Sequence, residues 1–195
     1  MDHAEAGVRQ RPMKTLLAVD DSRTTLNVLA HRLGHLGYLV VLSDNGAEAL
    51  DLMAARGFDL VLLDMVMPGL SGVQVLREIR GSRGTEDLPV IMVTGRADPG
   101  AAIEALAAGA DDHIAKPFAF DVLAARIERT LARARQMSEL KRVNLALDAR
   151  IAARAIELGE ARAELAHSHA DRNRLMGSIQ ALHDELNRVS GTSAA

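Results

Sequence analysis

The chain contains no cysteine in 195 residues, which excludes disulfides, thiol catalysis and zinc–cysteine sites together and agrees with a reducing compartment. No apolar run approaches the roughly 18 residues that a bilayer crossing requires. Residues 1 to 13 carry two acids and two arginines and lack the apolar centre of a signal peptide. A cytoplasmic protein without membrane contact is therefore expected. An excess of one charge is also missing: net charge is −3, with 11 basic and 16 acidic groups in residues 1–120 against 12 and 10 in residues 121–195. Neither half is basic enough to make nucleic acid the expected partner.

What is present is the composition of a folded domain of ordinary size with an appendage, 48% hydrophobic and 25% charged. The organising stretch is Leu60-Val61-Leu62-Leu63-Asp64-Met65, an apolar run without polar alternation, followed by Val66-Met67-Pro68-Gly69. Such a run reads as a strand buried on both faces. Asp64 then sits at its C-terminal end, the edge where open α/β sheets bind ligands.

The same reading extends along the chain. Strands are expected at Lys14–Val19, Tyr38–Leu42, Phe58–Met65, Pro89–Val93 and Asp112–Ala115. Helices are expected from the Ser22 N-cap to about Leu36, closed by Gly37, after Asp44-Asn45-Gly46, over Ser71–Ile79, over Ala101–Ala108, and from Phe118 onward. Five alternations of strand and helix over about 115 residues predict a doubly wound, five-stranded parallel sheet with helices on both faces. The order 2-1-3-4-5 common to such sheets brings Asp20, Asp21, Asp64, Thr94 and Lys116 to one edge. Three close carboxylates resist full ionisation unless a cation is present, and Mg²⁺ prefers oxygen ligands. Lys116 and Thr94 offer a charge and a hydroxyl to phosphoryl oxygens, Gly95 leaves space for the group, and Asp64 is the candidate nucleophile.

In combination, Val19-Asp20-Asp21, Leu63-Asp64-Met65-Val66-Met67-Pro68, Val93-Thr94-Gly95 and Lys116-Pro117-Phe118 resemble the receiver domain of two-component response regulators, over about residues 14 to 133. The resemblance implies a flavodoxin-like fold and a Mg²⁺ site made by Asp21, Asp64 and the carbonyl of Val66, with Asp20 acting through water. It further implies that Asp64 accepts phosphate from a histidine kinase or phosphotransfer protein, that Thr94 moves toward the phosphate, and that Lys116 pairs with it. The family usually has Tyr or Phe three residues before that lysine. This chain has His113, a departure at the position through which a signal would reach the fourth helix, fifth strand and fifth helix; a plain role as a partly buried ring is equally open. A flavin-binding module on the same fold is disfavoured, because Asp20-Asp21-Ser22-Arg23-Thr24 is acidic where a phosphate cradle needs glycine and free N–H groups.

The tail carries a second pattern. Leu140, Asn144, Leu147, Ile151, Arg154, Leu158, Ala161, Leu165, Ser168, Arg172, Leu175, Ile179, Leu182, Leu186 and Val189 alternate at spacings of four and three. This is a heptad seam about seven heptads long, and fifty residues of helix extend about 75 Å. A small domain cannot bury such a stripe, so a partner helix is expected. Asn144 at an a position favours a parallel, in-register homodimer. In that register Glu157 faces Arg162 of the other chain and Glu164 faces His169, while Arg154, Ser168 and Arg172 dilute the seam. The apolar register shifts between Leu131, Ala134, Met137 and Leu140, where a change in helix pairing could carry the signal.

The organisation expected is a disordered N-terminus over 1–13, a receiver over 14–133, a coiled-coil helix over 134–190 and a disordered tail over 191–195. The only chemistry expected is on the protein itself, self-phosphorylation from a donor and acyl-phosphate hydrolysis. Alternatives are the regulatory portion of a longer signalling enzyme with a cyclase, phosphodiesterase or kinase output, and a phosphorelay or phosphate-sink protein. His183-Asp184-Glu185-Leu186 faintly resembles a kinase's phosphoaccepting histidine, though His183 falls on the flank of the coil. His167 and His169 lie on different helix faces, a poor arrangement for one metal ion.

Overall fold

The computed structural model describes residues 13–95 and 99–192, with the side chains of Pro99 and residues 185–192 outside the description. The expectations for residues 1–12 and 193–195, and for the side chains of Leu186 and Val189, lie outside the described residues. The chain divides into two units, Met1–Ser138 and Glu139–Ala195.

In the first unit, β1 (Thr15–Val19), β2 (Leu39–Ser43), β3 (Leu60–Asp64), β4 (Val90–Gly95) and β5 (Asp112–Lys116) form one parallel sheet in the order β2-β1-β3-β4-β5. Between them run α1 (Arg23–His35), α2 (Gly46–Ala55), α3 (Gly72–Gly81) and α4 (Pro99–Ala107), and α5 (Phe120–Thr192) follows β5. All five residues of β3 are buried, as its unbroken apolar run demands of a strand covered on both sides. Alternate residues then feed two cores. Leu16, Ala18, Leu60, Leu62, Ile91, Val93 and Ile114 pack with Leu26, Leu29 and Leu33 of α1 and Leu123, Ile127 and Leu131 of α5. Leu17, Val19, Val61, Leu63, Val90 and Met92 face the other way, with Ala49 and Met53 of α2, Val73, Leu76 and Ile79 of α3, and Ala105 of α4. Each fully buried Leu or Ile contributes about 1.5–3 kcal/mol, so truncating one central residue such as Leu62 to Ala removes about 2–5 kcal/mol.

Local signals set the helix ends. Ser22 caps α1 by accepting from the Thr25 N–H at 3.3 Å. At the far end Gly37 adopts φ +83°, a left-handed turn that a side chain would strain. Asn45 caps α2 through the Glu48 N–H at 2.9 Å. In α3, Ser71 and Gln74 form a reciprocal capping box.

The second unit consists of the continuation of α5, helical through Thr192. Its large apolar side chains are exposed, from Leu147 at 50% to Leu145 at 71%.

Candidate functional site

Strand register assembles the site. Val19 pairs with Leu63, so Asp20 leaves β1 abreast of Asp64 at the end of β3. Asp64 pairs with Val93, and on β4 and β5 Thr94 pairs with Ala115 and Gly95 with Lys116. Four strand ends therefore deliver Asp20, Asp64, Thr94 and Lys116 to one edge, with Asp21 one residue beyond Asp20. The structure brings the acids and the lysine together as their order along the chain predicts.

Asp20 and Asp64 are nearly inaccessible, at 2% and 6%, whereas Asp21 is exposed. Oxygens from all three carboxylates lie within 4.8 Å of one another, and among the described residues no other group of three His or acidic side chains is gathered this closely. Lys116 Nζ donates to Asp20 Oδ2 at 2.6 Å and to Asp64 Oδ1 at 3.0 Å. The Ser22 N–H donates to Asp20 Oδ1 at 2.9 Å, which fixes that carboxylate in the turn before α1. Burial pushes the Asp64 carboxyl above the usual range, opposed by the Lys116 hydrogen bond and charge and reinforced by the charges of Asp20 and Asp21. For Lys116, burial alone would lower the ammonium pKa, but the hydrogen bonds to Asp20 and Asp64 and their charges outweigh it and hold the group above its ordinary value.

Three carboxylates against one ammonium leave surplus negative charge, and every donor in the cluster is a hard oxygen. That donor set fits a divalent cation of the Mg²⁺ type and does not fit a soft one. Thr94 is buried, and among the described residues its hydroxyl makes one contact, a long one to the Ile114 carbonyl at 3.5 Å. Such a distance is the outer limit of a hydrogen bond, so this contact holds the hydroxyl only weakly. A Cβ built at Gly95 would meet open space, so the fold itself does not demand glycine there. Val66 lies on the turn between β3 and α3 with its side chain 73% exposed. His113 is not among the gathered groups: half-buried on β5, it pairs with Met92, three residues before Lys116.

Two supporting residues carry no motif of their own. A Cβ at Gly72 would stand 2.0 Å from the Asp64 carbonyl oxygen, so only glycine lets α3 start against the end of β3. Buried Ser43 accepts the Asp20 N–H at its carbonyl, 3.2 Å away, and donates its hydroxyl to Glu48 Oε2 at 2.7 Å, tying the end of β2 to the first acid of the site.

Similarity to known proteins bears on the same residues. The response regulator receiver domain family matches residues 16–128, more than half of the chain. The response regulator MprA of Mycobacterium tuberculosis is 41% identical over 118 residues, covering 60% of this chain and 50% of the relative. The chain thus spans about half the length of the curated relatives it matches. Among solved structures, a CheY-like response regulator receiver domain protein from Methanospirillum hungatei superposes with a TM-score of 0.60 at 30% identity, covering 64% of this chain and 98% of the other. The receiver domain of a signal transduction histidine kinase from Syntrophus aciditrophicus gives a TM-score of 0.58 at 34% identity, covering 61% and 90%. With its sheet order, its acid cluster and this match in agreement, the chain belongs to the response regulator receiver domain family.

Proposed function

We propose that the protein is a cytoplasmic phosphoacceptor response regulator whose state is passed to a dimeric C-terminal coiled coil. The convergence of Asp20, Asp21, Asp64 and Lys116 at the end of β3 carries this reading. An Asp64 carboxylate oxygen attacks the phosphorus of a phosphohistidine on a histidine kinase or phosphotransfer protein. A P–O bond forms while the P–N bond breaks, and the electron pair leaves with the imidazole nitrogen, which takes up a proton. Asp21, Asp64 and the Val66 carbonyl would hold Mg²⁺, with Asp20 acting through water, and a divalent ion bound there would supply positive charge to offset that of the carboxylate and the phosphoryl group. Lys116 neutralises the phosphoryl oxygens as it does Asp64, and the weakly held Thr94 hydroxyl turns toward them. Gly95 leaves room beside that hydroxyl, and His113 stands where the signal leaves for α4, β5 and α5.

The coil follows from exposure. Leu140, Leu147, Ile151, Leu158, Leu165, Leu175, Ile179 and Leu182 are each at least half exposed on a single chain, which supports burial against a second copy. Asn144 meets its counterpart and selects the parallel register. The chemistry of this chain is its own phosphorylation and hydrolysis of the acyl phosphate.

Sedimentation with and without beryllofluoride and Mg²⁺ tests site and coupling together. The expected result is a dimer whose association constant shifts only when both are added, and only when Asp64 is intact. An identical profile in all conditions contradicts the coupling.

A further inference from the structure

One pair of side chains outside the acid cluster has the geometry of a metal chelate. His31 and His35 stand one turn apart on α1, so both project from one face of the helix. Both are exposed, and their Nε2 atoms lie 3.2 Å apart with the rings at right angles and centroids 4.5 Å apart. Two imidazole nitrogens at about 2.0–2.1 Å from one tetrahedral ion stand about 3.3–3.4 Å from each other, so the observed gap needs almost no adjustment.

The surroundings favour a cation. His35 is the last residue of α1 and His31 stands one turn earlier, so the pair lies toward the helix end where the dipole places partial negative charge. Arg32, the nearest basic side chain along the helix, is drawn round to Phe120, with its guanidinium carbon 5.3 Å from the ring centroid. Gly34, between the two histidines, has no side chain, and a Cβ built there would meet open space. Neither Gly34 nor a neighbour packed against it covers the exposed pair.

We propose that His31 and His35 form a bidentate site for a late first-row divalent cation, of the Zn²⁺ or Ni²⁺ class. Imidazole nitrogen selects these ions, whereas the all-oxygen cluster at Asp64 selects Mg²⁺, so the two sites sort their metals by donor chemistry. Binding uses both rings with the proton on Nδ1 and the Nε2 lone pair free. The other coordination positions are filled by water or by a donor from another molecule. The competing account of the same approach is a single Nε2–H···Nε2 hydrogen bond between solvated rings, which holds no ion.

The test is calorimetric titration of the tag-free full-length chain with Zn²⁺ in saturating Mg²⁺, comparing the parent with His31→Ala, His35→Ala and His167→Ala. A second ligand held one turn away binds at high effective concentration, so each of the first two variants is expected to weaken the tightest site by about 10–100-fold. His167→Ala is expected to leave it unchanged. Nuclear magnetic resonance of the unmodified chain supplies a readout that needs no variant: substoichiometric Ni²⁺ is expected to broaden the His31 and His35 ring signals before those of other histidines. Equal Zn²⁺ affinity in the parent and in either α1 variant, or broadening that begins elsewhere, overturns the proposal.

Discussion

Lys116 Nζ lies 3.0 Å from Asp64 Oδ1, an ion pair joining the ends of β5 and β3 across the end of β4. It supplies the contributions that lower the Asp64 pKa against burial and two like charges. Replacing Lys116 with Met removes them while keeping most of the apolar stem. In metal-free protein the Asp64 carboxyl is then expected to titrate at higher pH than in the parent, as followed by carbon-13 resonance of its carboxyl within the coupled acid cluster. A midpoint that stays put or falls contradicts this electrostatic assignment.

The raised Asp64 pKa also fixes a sign for stability. The folded state holds this proton more tightly than the unfolded chain does. The associated stabilisation is therefore complete below the ordinary value of 3.8 and is lost as pH rises through the raised one. Metal-free Asp64→Asn, which has no charge to desolvate, is expected to melt higher than the parent at neutral pH. The gap should close as pH falls below the ordinary carboxylate range, and Mg²⁺ should raise the parent's melting temperature more than the variant's. A variant less stable than the parent at neutral pH without metal contradicts the prediction.

At the opposite edge of the sheet, Arg80 at the end of α3 donates to the carbonyls of Gly109 at 2.9 Å, Glu86 at 3.1 Å and Leu88 at 2.8 Å, and to Asp111 Oδ2 at 2.8 Å. Asp111 also accepts the Val90 N–H at 2.8 Å, so this arginine clamps α3 to the starts of β4 and β5. Arg80→Met is expected to cost about 1–3 kcal/mol in denaturant unfolding, because it leaves the partly buried Leu88 carbonyl without its arginine donor and breaks the ion pair with Asp111. Mg²⁺ affinity should not change. Loss of Mg²⁺ binding without loss of stability would show that the clamp acts on the site.

Neither Arg80 nor Gly72 was legible in the sequence, whereas Asp64 and Lys116 were. The acids and the lysine stand at strand ends, and once five apolar runs alternate with helices, topology alone makes those ends neighbours. Gly72 matters because of a 2.0 Å approach to a backbone oxygen, a distance that no periodicity encodes. Arg80 is one of several surface-patterned arginines until the loops before β4 and β5 fold around it. Strand ends shifted for a related reason. The apolar run of β2 ends at Leu42, but Ser43 belongs to the strand, buried and with its hydroxyl satisfied by Glu48. A strand is expected from Phe58, yet β3 begins at Leu60, because the Asp59 carboxylate is taken up by Lys14 and the Thr15 N–H at the start of β1.

The seam of α5 makes a separate prediction. Leu158 and Leu165 are 52% and 59% exposed on one chain. Replacing both with Asp places charges in the middle of the proposed interface. The double variant is expected to sediment as a monomer, whereas the parent sediments as a dimer, with unfolding of the receiver unchanged. Asn144→Leu should strengthen association and relax its register, giving mixed oligomers. A monomeric parent contradicts the coil.

The most direct measurement is transfer of radiolabelled phosphate from a phosphohistidine donor in the presence of Mg²⁺, with the modified residue located by mass spectrometry. The account predicts one phosphoryl group per chain, on Asp64, absent from Asp64→Asn and absent when the metal is chelated. Undiminished labelling of Asp64→Asn, or label recovered on another residue of the parent, contradicts it.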